Sequence, residues 1–235
     1  METQSYEDIL IRSRHTILEM LNDRGYDTTI YKKMSGTDVL KLMPNISNPG
    51  GLMMEVHHRT TPDRRAVVLY TDGHIKQTVA KFIEKIINSE EDEKSGEGKE
   101  VKEGKEGKED AKPDRIKNTE YVIITLPTEE IAETFDKAAL DAWTKHKMRI
   151  QFFNMARMVN NPMKHYTQPK FDYVPPEEHK SLLERWHCRS KTQFWLIRFH
   201  NDIVARYMGL IPGDIIKITR PSYSAGEYIP YRTCV

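Results

Sequence analysis

At 235 residues, with 38% apolar and 30% charged side chains, the chain is long enough for two small domains that each bury a core, and no run approaches the ~20 apolar residues needed to span a bilayer. That predicts a soluble protein. Formal net charge is +1, which by itself points to no charged partner, and two cysteines without Cys-x-x-Cys spacing predict a reducing compartment rather than a disulfide framework.

In chain order, Glu2, Glu7, Asp8 and Arg12 interrupt any apolar N-terminal stretch, so no signal-peptide pattern is expected. Ser5, with Asp8 three residues on, reads as a helix cap, and Tyr6, Ile9, Leu10, Ser13, Ile17, Met20 and Leu21 follow at helical spacing until Gly25. A short helix is predicted over 36–42. Leu52 to His57 and Ala66 to Tyr70 read as strands joined by a polar turn, and Ile75 to Asn88 as an amphipathic helix.

Residues 89–118 break every periodicity. Residues 89–112 hold ten acidic side chains against six lysines, which leaves the rest of the chain with 30 basic and 25 acidic residues. Such a glycine-containing, charged insert is predicted to be a disordered, solvated spacer. After it, Tyr121 to Leu126 reads as a strand, Thr128 to His146 as a helix opened by Thr128, and Met148 to Val159 as containing a strand. Strand, helix, strand implies a mixed or parallel sheet. The predicted fold is therefore an α/β N-terminal domain over 1–162, with a mixed sheet flanked by helices, and a small α+β domain over 163–235. In the second, a helix is expected from Glu177 to about His187 with Leu182, Leu183 and Trp186 on one face. Phe194 to Ile197 reads as extended. A Pro212-Gly213 turn, a strand from Ile215 to Thr219, a loop opened by Pro221 and closed by Gly226, and an aromatic-rich second strand complete a hairpin.

Chemistry is sparse. Neither a Gly-x-x-x-x-Gly-Lys loop nor a Gly-x-Gly-x-x-Gly turn is present, so no nucleotide cofactor is expected. His57 and His58 fall on opposite faces of a strand, and His187-Cys188 has no second ligand pair at zinc spacing, so no metal is expected either. Cys188 is expected to be a free, buried thiol. The enzymatic alternative is a stand-alone metal-dependent nuclease of the same α/β type, built on Glu55. It lacks the lysine and the preceding aspartate that such a site needs. What remains is a binding surface: Arg206, Lys217, Arg220 and Arg232 alternate with Tyr207, Tyr223, Tyr228 and Tyr231, and Arg with Tyr is the composition of interface hot spots, though composition alone fits equally a small core closed by the tyrosines with the arginines at its rim.

The closing stretch resembles, nearly word for word, the C-terminal assembly domain of the fifth subunit of eukaryotic nuclear RNA polymerases I, II and III, a family whose archaeal RNA polymerase member consists of that domain alone. The matching words are Val204-Ala205-Arg206-Tyr207 with Gly209, Gly213 with Ile216-Lys217-Ile218, Arg220 with Ser222, Ala225-Gly226 with Tyr228-Ile229, and Tyr231-Arg232. Two positions depart from the family, Ile203 where proline is usual and Pro212 where a basic residue is usual. Upstream, Arg14 to Tyr26 is similar to the family's first helix, with its Asp23-Arg24-Gly25-Tyr26 ending.

The resemblance implies a non-catalytic polymerase subunit without cofactor. Its C-terminal module would dock on the largest subunit, which holds the magnesium aspartates, and its N-terminal module would form part of the lower jaw beside downstream DNA. The subunit-interface residues it implies are Arg206, Tyr207, Gly209, Gly213, Lys217, Arg220, Ser222, Ala225, Gly226, Tyr228, Tyr231 and Arg232. DNA contact is expected at phosphates, with Arg12, Arg14, Arg59, Arg64 and Arg65 as candidates. The implied location is the nucleus, or a virion or viral factory if a large DNA virus encodes the chain. A free regulatory adaptor that borrowed the assembly domain is a third reading, distinguished by its failure to co-purify with catalytic subunits.

Overall fold

Apolar residues recurring every three or four positions coil the N-terminal stretch into α1, Tyr6–Asp23, whose Leu10, Ile17, Met20 and Leu21 are fully buried. The computed structural model describes residues 5–42, 52–96 and 119–235. They divide into two compact units, Met1–Val159 and Asn160–Val235. Ser5 stands at the N-cap, but its side chain makes no capping bond, so the expected box with Asp8 does not form. A true capping box occurs at Ser35 and Asp38, opening α3, Gly36–Lys41. Between them a helical turn that the sequence reading missed, α2, Thr29–Lys32, follows Asp27, whose carboxylate accepts from the Thr29 N–H at 3.0 Å. Helix α1 ends at Gly25, where φ is +90° and an added Cβ would lie 2.7 Å from His58 Nε2.

The sheet of the first unit runs β1 (Met54–His57), β2 (Arg65–Tyr70), β3 (Thr119–Thr125), β4 (Arg149–Asn154), with β1 antiparallel to β2 and the other pairs parallel. Among the described residues two helices supply the crossovers, α4 (Val79–Gly96) and α5 (Glu133–His146). Alternation sorts the strand residues. Val67, Tyr121, Ile123, Ile150 and Phe152 face Val79, Ile83, Ile86, Phe135 and Ala139, while Val68, Val122, Ile124 and Phe153 are buried on the opposite face.

Helix boundaries in this unit differ from expectation at both ends of α4, which begins at Val79 and not at Ile75, and at the start of α5. Helix α4 continues through residues 89–96, the first part of the segment predicted to be disordered, because no glycine or proline interrupts it before Gly96 and glutamate and lysine are good helix formers. The rest of that insert, 97–118, lies outside the described residues. Helix α5 begins at Glu133 rather than Thr128, because Asn154 Nδ2 donates to the carbonyls of Leu126, Pro127 and Glu129 and holds that stretch out of the helix. Glu129 does not cap. Its buried Oε1 accepts the N–H groups of Ile75 and Lys76, each at 2.7 Å, and so fixes the turn that feeds α4.

The second unit is a five-stranded sheet in the order β5 (Lys170–Val174), β7 (Ile215–Ser222), β9 (Tyr231–Cys234), β6 (Trp195–Ile197), with β8 (Gly226–Tyr228) pairing β7 beyond β9. Pro176–Glu178 forms a 3₁₀ turn, so the expected helix narrows to α6, His179–Arg185. Leu182 packs with Val174 and Ile215, but Trp186 lies past the helix and is 53% exposed. Helix α7, Ile203–Met208, is capped by Asp202, whose Oδ1 accepts from Val204 N at 2.8 Å and Ala205 N at 3.3 Å. Pro221 opens no loop. It lies within β7 opposite Glu227, where only β8 borders the strand and proline is tolerated. Cys188 is half-buried rather than buried, with its thiol toward the Trp186 carbonyl at 3.5 Å; Cys234 is the buried one.

Phe135 has no exposed surface and meets Phe152 edge-on at 5.1 Å. Phe135→Ala is expected to lower unfolding stability by about 3–5 kcal/mol, whereas Leu140→Ala on the exposed side of α5 changes it by about 0.5 kcal/mol or less, both read from urea denaturation.

Candidate functional site

The hairpin β7–β8 carries Lys217, Arg220, Ser222, Tyr223, Ala225, Gly226 and Tyr228, while Arg206 and Tyr207 lie on α7 and Tyr231 and Arg232 on β9. Arg220 stands directly across from Tyr228, Pro221 from Glu227 and Ser222 from Gly226, so Arg220 and Tyr228 share a face. Arg220, Ala225, Gly226 and Tyr228 are exposed, and Tyr223 at the tip is wholly so. Arg206, Gly209, Gly213, Lys217, Ser222, Tyr231 and Arg232 are half-buried. Gly209, Gly213 and Gly226 all have positive φ, so turn geometry accounts for glycine there. Tyr207 is not on the surface: it is 3% exposed, and its hydroxyl accepts a hydrogen bond from Asn161 Nδ2 at 2.9 Å. It holds α7 against the start of its unit and offers no ring to a partner.

Beside this ribbon the structure gathers a feature the sequence reading did not assemble. Trp186, Phe194, Trp195, Tyr228, Pro230 and Tyr231 line an open groove of about 210 Å³. Tyr231 contacts Trp186 and Phe194 at ring-centroid distances of 6.1 and 5.9 Å, and Trp195 contacts Tyr228 at 6.4 Å. The missed signal is Trp186. Assigned to the core face of a helix running to His187, it stands past the end of a shorter one.

The arginines singled out in the first unit fall into two groups. Arg14 is buried, with its guanidinium 5.7 Å from the Tyr31 ring centre and Nη2 against Met34 Sδ, and so is closed to a phosphate. Arg65 is bonded to Glu55 at 3.1 Å and to the Thr119 hydroxyl at 3.2 Å, which also occupies the carboxylate of the nuclease alternative. Arg64 lies over the Tyr26 ring, 4.0 Å from Glu120. Arg12 and Arg59 are exposed, held lightly by Asp8 at 3.0 Å and Asn22 at 2.6 Å.

Glu120 anchors the second feature the sequence reading missed. Its two oxygens take Arg24 Nη1 and Arg149 Nη1, each at 2.9 Å, and Arg24 Nη2 goes on to Gln151 Oε1 at 2.7 Å. All three charged side chains are buried. Burial alone would raise the Glu120 carboxyl, but the combined charges of Arg149, Arg24 and Arg64 outweigh it and hold the group at about 2. Burial draws Arg149 down to about 10, against the pull of Glu120, and still leaves it charged at neutral pH.

Comparison with known proteins falls along the division between the units. Residues 160–234 match the family described as RNA polymerase Rpb5, C-terminal domain. A subunit named Rpo5 of DNA-directed RNA polymerase from Nitrosopumilus maritimus is 39% identical over 71 residues, 30% of this chain and 83% of the relative. The chain belongs to the Rpb5 family. The RPABC1 subunit of RNA polymerases I, II and III from Caenorhabditis elegans is 37% identical over 38% of this chain and 41% of its own length. The rpabc1 subunit from Dictyostelium discoideum is 28% identical over 97% of this chain and all of its own length, which carries the Rpb5 likeness through the first unit.

Because the folded-state value of Glu120 lies below its ordinary value of 4.5, its contribution to stability is fully present above about pH 4.5 and is lost as pH falls toward about 2. Glu120→Gln, which leaves the arginines without their counter-charge, is expected to cost about 3–5 kcal/mol at pH 7 and to flatten the stability profile below pH 4.5. Urea midpoints measured from pH 7 to pH 2.5 check both. A variant with unchanged stability and an unchanged acid limb would show that the cluster does not support the unit.

Proposed function

We propose that this chain is a non-catalytic structural subunit of a multisubunit DNA-directed RNA polymerase in the nucleus. Its C-terminal unit docks on the largest subunit, and its N-terminal unit stands in the lower jaw beside downstream duplex DNA. One observation carries the reading: the likeness to a subunit named for polymerases I, II and III extends over nearly the whole chain, with its densest matches on one compact unit. Exposed Arg220 and Tyr228, facing the same way across the hairpin, suit a docking surface, and exposed Arg12 and Arg59 suit phosphate contact.

Affinity purification of the full tagged chain from its own cells tests the assignment. The largest subunit should accompany it in stoichiometric amount, and the double change Arg220→Ala, Tyr228→Ala should weaken that association by about 30-fold or more without lowering the melting temperature, since both side chains are exposed. Absence of polymerase subunits refutes the function, and an undiminished double variant refutes the docking face. In the assembled polymerase, removing Arg12 and Arg59 is expected to reduce the salt dependence of duplex binding by up to about one unit of slope per lost phosphate contact, equally for unrelated sequences. A loss confined to one sequence would contradict contact through phosphates alone.

A further inference from the structure

Strand β6 ends the sheet of the second unit, with β9 on one side and, among the described residues, no strand on the other. Its pairing is parallel, in the register Trp195 with Arg232, Leu196 with Thr233 and Ile197 with Cys234. Val235 N donates to Ile197 O at 2.9 Å, so Ile197 spends its polar groups on β9, and the alternation of a parallel ladder turns the N–H and C=O of Leu196 to the open side. Folded proteins ordinarily blunt such an edge. Here it presents Trp195, which lines the aromatic groove, at 58% exposure and Leu196, on the other face of the strand, at 52%.

The stretch of chain that carries the edge is one-sided in charge, although Glu184 and Asp202 bound it and Glu227 stands on β8. From residue 185 to residue 201 the chain carries Arg185, Arg189, Lys191 and Arg198 and no acidic residue, and Arg232 stands across from Trp195. At about 210 Å³ the groove is smaller than the 300–1,000 Å³ usual for small-molecule sites and is sized for side chains. Unpaired backbone groups, side-chain-sized apolar space and an all-basic flank together define the partner. We propose that the open edge of β6 takes an extended segment of another polypeptide as an added strand, one in which aliphatic residues entering the groove alternate with Asp or Glu facing Arg198 and its neighbours. This deepens the docking role proposed for the same unit and rests on it.

The test pans a phage-displayed library of random octapeptides against the full chain. Enriched sequences should alternate aliphatic with acidic residues. Their synthetic versions should bind at least about 10-fold more weakly to Leu196→Pro, which removes the outward N–H while sparing the bonds to β9, and to Arg198→Glu, but normally to Leu196→Val. Arg198→Glu alters only an exposed side chain and carries the test if the proline variant does not fold. Enrichment of basic or proline-rich peptides, no enrichment, or binding indifferent to both variants overturns the proposal, as does a dimer in sedimentation that Leu196→Pro dissolves, which would make the occupant a second copy. The same variants, used in the polymerase purification, separate this inference from the subunit role. If Leu196→Pro and Arg198→Glu chains retain the largest subunit as wild type does, the edge is not the docking element and the role stands. If wild type retains no polymerase, the role falls and the peptide result alone decides the edge.

Discussion

One buried carboxylate ties the first unit together. Glu120 lies on β3, Arg149 on the neighbouring β4, and Arg24 at the end of α1, so three segments distant in sequence meet at two charge-assisted bonds of 2.9 Å. Hydrophobic contact could let α1 slide along the sheet, since apolar surface is non-directional. A forked guanidinium spanning Glu120 and Gln151 cannot slide without breaking a bond. The partner residues Glu120 and Gln151 sit on the same face of adjacent strands, a placement that needs the parallel register of β3 with β4. Helix position and strand register therefore enforce one another.

The cluster also bears on how arginines should be read in such a chain. Arg14, Arg64 and Arg65 all lie in the first unit, yet each is engaged inside it, by Tyr31, by Tyr26 with Glu120, or by Glu55. Their chemistry is the same as that of Arg12 and Arg59, and only burial and geometry separate them. What remains at the surface is a small cationic set, in keeping with auxiliary, sequence-independent contact rather than a recognition face.

Periodicity made most elements legible. The continuous apolar run Tyr121 to Ile124 and the three-and-four spacing of α1 and α4 are strong local signals, and the strand-helix-strand order implied the mixed sheet that the structure has. Boundaries set by partners remote in sequence were not legible. Asn154 takes the carbonyls that would otherwise continue α5 upstream, and Glu129 spends its carboxylate on the N–H groups of residues 75 and 76, far off in sequence. The groove failed to appear for a related reason. Trp186, Trp195 and Tyr231 come together only once β6 pairs parallel with β9, a long-range pairing that no short window of sequence reveals. The interface words, by contrast, stood out through resemblance, and the structure then separated exposed Arg220 and Tyr228 from buried Tyr207.

The parallel pairing of β2 with β3 has a kinetic side. Their register joins Leu69 to Ile123 across the whole charged insert, so the central ladder forms only after the chain closes a loop containing all of 71–118. Closure entropy rises by only about 0.6 kcal/mol for each doubling of loop length, so lengthening or trimming that insert burdens the equilibrium little. Long-range parallel pairing is nevertheless slow to nucleate, and until it forms, the apolar strand Tyr121 to Ile124 lacks β2 on one side. The sequence just before that strand is charged, with acidic side chains in excess of lysines, the composition that flanks apolar strands where pairing between nascent chains is disfavoured.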